Sequence, residues 1–285
     1  MSRIAYVNGR YLPRAEAQVS IDDRGLYFGD GVYEVCEVRA GRLVDETRHL
    51  DRLARSLEAL RIAWPIARIA LAGVLREVVR RNRVRDGIVY LQISRGVARR
   101  DHGFPKIPVR PSLTVTAKAL SPAVNEAKAA RGVTVITRPD ERWSRPDIKT
   151  LQLLPNVLAK QAAREAGAEE AWLVDGRGFV TEGASTNAWI VTPEGALVTR
   201  PADQAILHGV TRATLIDVAA DLGLRLELRP FTLDEAYSAR EAFFSSASTI
   251  AMPVVDIDGR AVGDGRPGAV TLALRRRFHD LAALS

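Results

Sequence analysis

RPDIKTLQLLPN, residues 145–156, places one lysine, Lys149, inside an otherwise apolar stretch. Ile148 precedes this lysine and the run TLQLLPNVL follows it, so its amine is expected near a desolvated environment that favours the neutral, nucleophilic form. A lysine of this kind can form a Schiff base. Taken alone, the segment also fits an exposed lysine beside the end of a strand, and that interpretation is the more common one.

A second polar residue in apolar surroundings is Glu182, in the segment VTEGASTNAWIV (residues 180–191). A carboxylate at the mouth of the strand AWIV can pair with a protonated heterocyclic nitrogen and keep that nitrogen charged. The alternative is a turn carboxylate that caps nearby backbone amides. The segment alone does not distinguish the two roles.

Two further segments are candidates for binding a phosphate. In AILHGVTR (205–212), Val210 and Thr211 stand just before a predicted helix, where free backbone N–H groups and the helix dipole attract an anion. In FFSSAST (243–249), Ser245, Ser246 and Ser248 add hydroxyl groups at the end of a predicted strand. The alternatives are an ordinary threonine N-cap and ordinary turn serines.

In the N-terminal half, the run VYEVCEV (32–38) alternates strictly and puts Tyr33, Val35 and Glu37 on one face of a strand. That face can line a site. Arg52, in the segment HLDRL, directly precedes the apolar Leu53 of a predicted helix. Its side chain either reaches a phosphate or lies on the solvent face, and position alone favours solvent.

The loop SRGVARRDHGFP (94–105) gathers basic groups between two predicted strands. The guanidinium of Arg100 and the imidazole of His102 can capture a carboxylate there, although a solvated basic loop has the same composition. The histidines His49, His208 and His279 have no ligand-like spacing, so no metal site is expected.

Composition describes a folded globular protein. The 285 residues are 47% hydrophobic, enough for one large core or two modest ones. No apolar run resembles a signal peptide or a membrane span, and a single cysteine, Cys36, excludes an intrachain disulfide, so a soluble cytoplasmic protein is expected. The net charge of +7 (41 − 34) comes from basic residues interspersed with acidic ones, which argues against nucleic-acid binding.

Local patterns predict an α+β or mixed α/β fold. Asn8-Gly9 predicts a hairpin turn, and Leu50, Leu53 and Leu57 recur at helical spacing. Loss of periodicity and Ser121-Pro122 predict an N-terminal domain over 1–120, a linker over 121–132 and a C-terminal domain over 133–285. Besides the strand at 32–38, strands are predicted at 87–95, 111–118, 133–137, 170–174, 187–191 and 242–246, and further helices at 66–82, 154–166, 212–222 and 267–283.

Seven segments, taken in chain order, resemble the class IV aminotransferases, which are the fold-type IV enzymes that use pyridoxal 5′-phosphate (PLP). The segments cover nearly the whole chain: DRGLYFGDGVYEV, HLDRL, RGVARRDHGFP, DIKTLQLLPN, TEGASTN, ILHGVTR and SSAST. The resemblance implies a small N-terminal α/β domain and a larger, β-barrel-like α/β domain that binds PLP. Within the family, Arg100 and His102 are similar to the carboxylate trap of members specific for D-amino acids.

The resemblance also implies a role for each matched residue. Lys149 is the Schiff-base and proton-transfer lysine, Glu182 pairs with the pyridine nitrogen, and Leu207 packs against the cofactor ring. Tyr33, Val35 and Glu37 line the substrate pocket with the trap residues Arg100 and His102. The implied phosphate contacts are Arg52, Val210, Thr211, Ser246, Ala247 and Ser248.

Two positions depart from the pattern of the D-specific members. Glu37 stands where those enzymes often carry lysine, and a carboxylate there disfavours dicarboxylic substrates, favours an amino-bearing side chain or pairs with a basic neighbour such as Arg39. Ala247 replaces a hydroxyl residue of the phosphate cup, where its backbone N–H can still contribute.

The function implied is ping-pong amino transfer between a D-amino acid, of the D-alanine or D-glutamate type, and a 2-oxo acid. A homodimer is implied as well, with the Arg100–His102 loop reaching into the partner's site. The alternatives are a branched-chain L-amino acid aminotransferase, an (R)-amine transaminase and a 4-amino-4-deoxychorismate lyase, which share the cofactor residues. A non-enzymatic basic binding protein is the alternative from another class.

Overall fold

A hairpin opens the described part of the chain, which a computed structural model covers over residues 3–285. Strands β1 (Ile4–Val7) and β2 (Arg10–Pro13) pair antiparallel, and Asn8 and Gly9 between them have φ angles of 47° and 100°. Positive φ at both turn residues suits the twist of a tight hairpin. The predicted hairpin is confirmed. Met1 and Ser2, with which the predicted N-terminal domain begins, lie outside the described residues.

The first sheet is built from strands that alternate between a buried and a half-buried face. It contains β1 and β2 together with β3 (Gly31–Arg39), β4 (Arg42–Leu43), β5 (Gly87–Ser94) and β6 (Ser112–Ala119). All of its pairs are antiparallel, in the order β2-β1-β6-β5-β3-β4. The predicted strands at 32–38, 87–95 and 111–118 are therefore confirmed to within a residue or two.

Two helices, α2 (Glu46–Ala59) and α3 (Arg68–Arg81), cover the buried face of this sheet. A short helix, α1 (Arg24–Phe28), precedes β3. Leu50, Leu53 and Leu57 of α2 are at most 3% exposed, because their spacing puts all three on one side of the helix. Both predicted helices of the N-terminal half are confirmed.

The second sheet is a mixed one of ten strands. Its strands are β7 (Val133–Pro139), β8 (Glu170–Val174), β9 (Phe179–Gly183), β10 (Asn187–Val191), β11 (Leu197–Thr199), β12 (Leu226–Leu228), β13 (Phe231–Thr232), β14 (Glu241–Ser246), β15 (Ile250–Ile257) and β16 (Arg260–Ala261). They run in the order β12-β11-β10-β14-β15-β7-β8-β9-β13, with β16 paired to β15. The accompanying helices are α4 (Pro122–Arg131), α5 (Leu154–Glu165), α6 (Val210–Asp221), α7 (Leu233–Tyr237) and α8 (Ala269–Leu281).

Helix α4 corrects the predicted linker over 121–132. The stretch PAVNEAKAAR is helical and buries Ala129 to 1% exposure. Its apolar positions are mostly alanines, which carry strong helix propensity but a weak hydrophobic signal. Pro122, taken as a chain breaker in the sequence, stands at the first helical position, where a proline is well tolerated.

By its internal contacts the chain divides into two units, and the division differs from the predicted bounds. The first unit comprises Met1–Pro122, Ile148–Gln152 and Ala283–Ser285, and the second comprises Ala123–Asp147 and Leu153–Ala282. Residues 148–152 belong to the first unit because they pair with β3: Tyr33 N donates to Lys149 O at 3.0 Å and Leu151 N to Gly31 O at 3.0 Å. The C-terminal residues pair in the same way with Leu43.

The described residues thus form the mixed α/β fold that the sequence predicts. Among residues 3–285, no helix is both long and apolar enough to cross a membrane.

Candidate active site

Lys149 is fixed by the backbone pairing of its own segment with β3. Its neighbours Ile148 and Thr150 are each 5% exposed, whereas Lys149 itself is half-buried. The ammonium nitrogen lies 4.1 Å from the centroid of the Tyr33 ring. An aromatic face attracts a cation at this distance, so the Tyr33 ring is a favourable contact for the ammonium group.

Tyr33 belongs to a continuous half-buried face of the first sheet. Register places Tyr33 opposite Gln92, Val35 opposite Tyr90, and Glu37 opposite Ile88. The rings of Tyr33 and Tyr90 are 5.7 Å apart, and the Tyr90 hydroxyl donates to Gln92 Oε1 at 2.9 Å. Burial raises the pKa of Tyr90 to about 12. Tyr33, Val35 and Glu37 do share one face, while their contact with a substrate stays a prediction.

The opposite face of β3 carries a buried charge, Glu34, that the sequence did not single out. Its Oε1 accepts from Arg52 Nε at 2.7 Å, and its Oε2 accepts from Arg52 Nη2 at 2.8 Å and lies 2.8 Å from His49 Nδ1. Burial opposes this charge, but Arg52 and His49 outweigh it and hold the pKa of Glu34 well below its usual range. Arg52, predicted to bind phosphate, is therefore oriented by Glu34.

His49 completes the cluster as a neutral group. Burial lowers the pKa of its imidazole, and the positive charges of Arg52 and Lys149 act in the same direction, while Glu34 opposes them. The cluster of Glu34, Arg52 and His49 therefore contains one negative and one positive charge.

The loop that carries Arg100 and His102 is anchored through Asp30. Its carboxylate accepts from Arg24 Nε at 2.7 Å and from Arg95 Nε at 2.8 Å. These hydrogen bonds outweigh burial and lower the pKa of Asp30. Arg24 then donates to the backbone oxygen of Asp101 at 2.6 Å. The charged side chain of Arg24 thus holds the main chain of this loop in place.

Phe28 brings the two predicted trap residues together. The His102 ring centroid lies 5.4 Å from that of Phe28, and the Arg100 guanidinium lies 5.4 Å from the same ring. Both side chains are exposed. The pair presents one cation and one imidazole around a single aromatic ring, a combination that suits a carboxylate ligand.

In the second unit, every oxygen of the buried Glu182 carboxylate has a donor. Oε1 accepts from Arg142 Nη1 and, at 3.0 Å, from Leu207 N, and Oε2 accepts from Asn187 Nδ2 at 2.8 Å. Burial raises the pKa of Glu182, and Arg142 together with the Leu207 N–H opposes that rise. Sequence reasoning found Glu182 and Leu207 but missed Arg142 and Asn187.

The start of α6 is shaped by a glycine. Gly209 is the N-cap residue, and Val210 and Thr211 form the first helical positions, so their N–H groups have no acceptor within the helix. A Cβ added at Gly209 would lie 2.0 Å from Oδ1 of Asn187, the residue that holds Glu182. Only glycine therefore lets the helix begin this close to the Asn187 side chain.

The predicted serine segment forms the turn between β14 and β15. Ser246 Oγ lies 2.8 Å from Thr249 Oγ1 and 3.3 Å from Ser248 Oγ, so these hydroxyls cluster, with Ala247 between the serines. Ser245 does not join them, which corrects its prediction as a phosphate contact: it is buried in the core and accepts from Trp189 Nε1 at 2.9 Å. Ile250, at the end of the turn, has a φ of 58°, a strained value for a β-branched residue.

These groups match the chemistry of PLP. The cofactor needs an amine for covalent attachment, a carboxylate for its ring nitrogen, and N–H and O–H donors for its phosphate. The chain offers Lys149, the fully hydrogen-bonded Glu182, and the first turn of α6 with the serine turn. Among the described residues, no group of three or more His, Cys, Asp or Glu side chains could hold a metal ion.

Comparison with known proteins identifies the family of this chain. The family described as amino-transferase class IV matches residues 31–257. The chain therefore belongs to the class IV aminotransferases, which have the fold-type IV architecture, and is a PLP-dependent aminotransferase.

Particular relatives are D-alanine aminotransferases. The chain is 38% identical to the one from Staphylococcus haemolyticus, over 96% of each chain, and 40% identical to the one from Bacillus licheniformis, over 93% of this chain and 92% of the relative. A solved structure, the branched-chain amino acid aminotransferase of T.th. with pyridoxamine 5′-phosphate, superposes with a TM-score of 0.90 at 28% identity, covering 98% of this chain and 94% of that one.

The buried cluster on β3 predicts acid lability. His49 has a lowered pKa in the folded state, so protons bind the unfolded chain more tightly, and its contribution to stability is lost as the pH falls below the unfolded value of about 6.5. Glu34 also has a lowered pKa, so its contribution is lost below an unfolded value of about 4. The melting temperature, measured by circular dichroism, should fall from pH 7 to pH 5 and fall further below pH 5.

His49→Gln should flatten the pH 7 to pH 5 part of that curve, because glutamine keeps a donor for Glu34 but does not titrate. Ser56→Ala is the control, since Ser56 is a buried, non-titrating residue of the same helix. It should change the melting temperature by a constant amount. An unchanged slope in His49→Gln would contradict the assignment.

Proposed function

We propose that this enzyme transfers the amino group of a D-amino acid, of the D-alanine or D-glutamate type, to a 2-oxo acid by a ping-pong mechanism. The observation that carries the proposal is the pair Arg100 and His102, gathered around Phe28 on an anchored loop. The 37–40% identity to D-alanine aminotransferases over nearly the whole chain supports it. The substrates are small amino acids and 2-oxo acids, and the compartment we propose is the cytoplasm.

We further propose which residues hold PLP. Lys149 attaches the cofactor, Glu182 pairs with its ring nitrogen, and Leu207 packs against its ring. When bound, PLP supplies an electron sink for the electrons of the bond broken at the substrate Cα. The proposed phosphate ligands are Arg52, the backbone N–H groups of Val210, Thr211 and Ala247, and the hydroxyls of Ser246 and Ser248.

Lys149 is also the proposed proton carrier. Its Nζ would take the proton from the substrate Cα and deliver it to the cofactor carbon that bears the transferred nitrogen. While the amine carries that proton, the Tyr33 ring at 4.1 Å stabilises its charge. Tyr33 is thus proposed to position the charged amine without taking part in bond breaking itself.

Arg100 and His102 are the proposed ligands of the substrate carboxylate, while Val35 and Tyr33 contact its side chain. Glu37 lies two residues further along the same strand face than Val35, a distance of about 7 Å. Its negative charge disfavours a second substrate carboxylate near it. We therefore propose that D-alanine is a better donor than D-glutamate.

A second candidate function is transfer from branched-chain L-amino acids. The observation in its favour is the TM-score of 0.90 to the branched-chain enzyme of T.th.. Sequence identity to that enzyme is 28%, below the 38–40% to the D-alanine enzymes.

We also propose a homodimer in which the Arg100–His102 loop reaches into the partner's site. The segments around this loop expose large apolar side chains, an arrangement that soluble monomers rarely keep as a contiguous patch. Two of these segments, around residues 22–24 and 96–98, are joined by backbone hydrogen bonds: Arg24 N donates to Gly96 O at 3.0 Å and Ala98 N to Asp22 O at 3.2 Å. The exposed residues are Val19, Ile21, Leu26, Val97, Phe104 and Ile107.

Replacing Lys149 tests the cofactor assignment. Lys149→Ala should abolish the covalent attachment that borohydride reduction makes permanent, because no other amine takes its place. Intact-protein mass spectrometry after reduction measures this. Lys118→Ala, a lysine of the same sheet, is the matched control and should retain the attached mass. Attachment that persists in Lys149→Ala would refute the assignment.

The enantiomer preference is tested by the first half-reaction alone. PLP-loaded enzyme without acceptor should release one equivalent of pyruvate from D-alanine faster than from L-alanine, and should react more slowly with D-glutamate than with D-alanine. Arg100→Lys should lower kcat/KM for D-alanine by about tenfold or more, because lysine cannot offer two parallel donors to a carboxylate. The neighbouring Arg99→Lys is the control. Faster reaction with L-leucine than with any D-amino acid would favour the branched-chain function instead.

The oligomeric state can be measured by sedimentation. The 31.2 kDa chain should sediment as a dimer, and Leu26→Glu, which places a charge at a position 66% exposed in the single chain, should shift it to monomer. Ile69→Glu is the control, since Ile69 is 81% exposed and belongs to α3, not to the loop segments. A wild-type monomer, or a dimer unaffected by Leu26→Glu, would oppose the proposed interface.

A further inference from the structure

Arg142 is shared between two carboxylates. It donates from Nε to Asp140 Oδ1 at 2.9 Å, from Nη2 to Asp140 Oδ2 at 2.8 Å, and from Nη1 to Glu182 Oε1. The three side chains are 13%, 6% and 5% exposed for Asp140, Arg142 and Glu182. They form one continuous, nearly buried chain of charges within the second unit.

The sum of those charges matters for what Glu182 can bind. Arg142 alone would neutralise Glu182, and a neutral pair attracts a cation weakly. Asp140 brings the total of the three groups to one negative charge, which complements one positive charge on a ligand. Asp140 achieves this without any direct hydrogen bond to Glu182, since its described contacts run to Arg142 and Thr181.

We propose that Asp140 is a positioning residue that acts through Arg142 to keep the Glu182 cluster net negative, so that the pyridine nitrogen of bound PLP stays protonated. This inference rests on the proposed pairing of Glu182 with that nitrogen. Protonation of the ring strengthens its electron withdrawal, so Asp140 contributes to the reaction from outside the contact shell of the cofactor.

Local hydrogen bonds keep Asp140 ionised. Thr181 Oγ1 donates to Asp140 Oδ2 at 2.7 Å, and Arg142 N donates to Asp140 Oδ1 at 3.2 Å. Burial on its own would raise the pKa of Asp140, but the bonds from Arg142 and Thr181 outweigh it and the pKa lies below its usual range. Arg142 is held in turn, because Nη2 also donates to Ala205 O at 3.3 Å.

Other charged groups that act on Glu182 do not share this chain of hydrogen bonds. Arg212 interacts with Glu182 electrostatically, but it donates to the backbone oxygen of Arg200 at 2.6 Å. Burial lowers the pKa of Arg212 to about 10, against the opposing charges of Glu182 and Asp203. Asp140 accepts from two nitrogens of Arg142 and Glu182 from one, so Asp140 is the more extensively hydrogen-bonded partner of Arg142.

The test measures the protonation state of the ring nitrogen directly. Enzyme loaded with PLP labelled with ¹⁵N in the ring gives a nitrogen resonance that moves strongly between the protonated and neutral forms. In the wild type we expect the protonated position across pH 6 to 8. Asp140→Asn, which keeps size but removes the charge, should lower the nitrogen's pKa by about one unit or more and reduce kcat about tenfold with little change in KM.

Asp140→Glu restores the charge and should restore the protonated resonance, which loss of packing alone would not predict. Glu241→Gln is the control for removing a buried carboxylate, because Glu241 accepts from the first residues of α8 and not from Arg142. It should leave the resonance in place. Circular dichroism checks folding, and Asp140→Ser replaces Asp140→Asn if that variant does not fold.

Glu182→Gln distinguishes a failure of the proposed role of Asp140 from a failure of the proposed pairing of Glu182 with the ring nitrogen. A shift in Glu182→Gln together with an unmoved resonance in Asp140→Asn overturns the role of Asp140 and leaves the proposed function intact. An unmoved resonance in Glu182→Gln overturns the pairing of Glu182 with the ring, and the role of Asp140 with it.

Discussion

The backbone pairing between residues 149–151 and the start of β3 is the constraint on which the first unit's chemistry depends. Two hydrogen bonds of 3.0 Å and a bridge between Val32 and Thr150 hold the segment along this edge. Its approach is close, because a Cβ on Gly31 would lie 2.7 Å from Leu151 Cδ1. A single strand therefore positions both Lys149 and the ring of Tyr33 against which it lies.

Because successive residues of a strand face opposite ways, the two faces of β3 carry different groups of residues. Tyr33, Val35 and Glu37 lie on the half-buried face, while Glu34 and Cys36 are buried on the other. A shift of one residue in the pairing with β5 would expose Glu34 and bury Glu37, so the ion pair with Arg52 also opposes any slip in register. The buried charge in this way helps to fix the face that we propose binds the substrate.

Features of the fold and of the candidate site could be predicted from the sequence where the residues involved lie close together along the chain. Alternation within 32–38 and the environment of Lys149 are local patterns, and the segment matches identified Glu182, Val210 and Ser246 by their order. Arg142 lies 40 residues before Glu182, and Glu34 lies 18 residues before Arg52, so no local pattern links them. Helix α4 was missed for another reason, since its alanines carry helix propensity without a hydrophobic stripe.

The two buried clusters show why charge counting is more informative than burial. Glu34 and Arg52 cancel, and His49, with its lowered pKa, adds no charge at neutral pH, so the charges of these three groups sum to zero. Glu182 and Arg142 would cancel in the same way. Asp140 is the additional group, and it leaves one negative charge in a region where an uncompensated charge is costly. We propose that the ring nitrogen of PLP supplies the balancing positive charge at Glu182, whereas at the first cluster the proposed ligand is an anionic phosphate bound through Arg52.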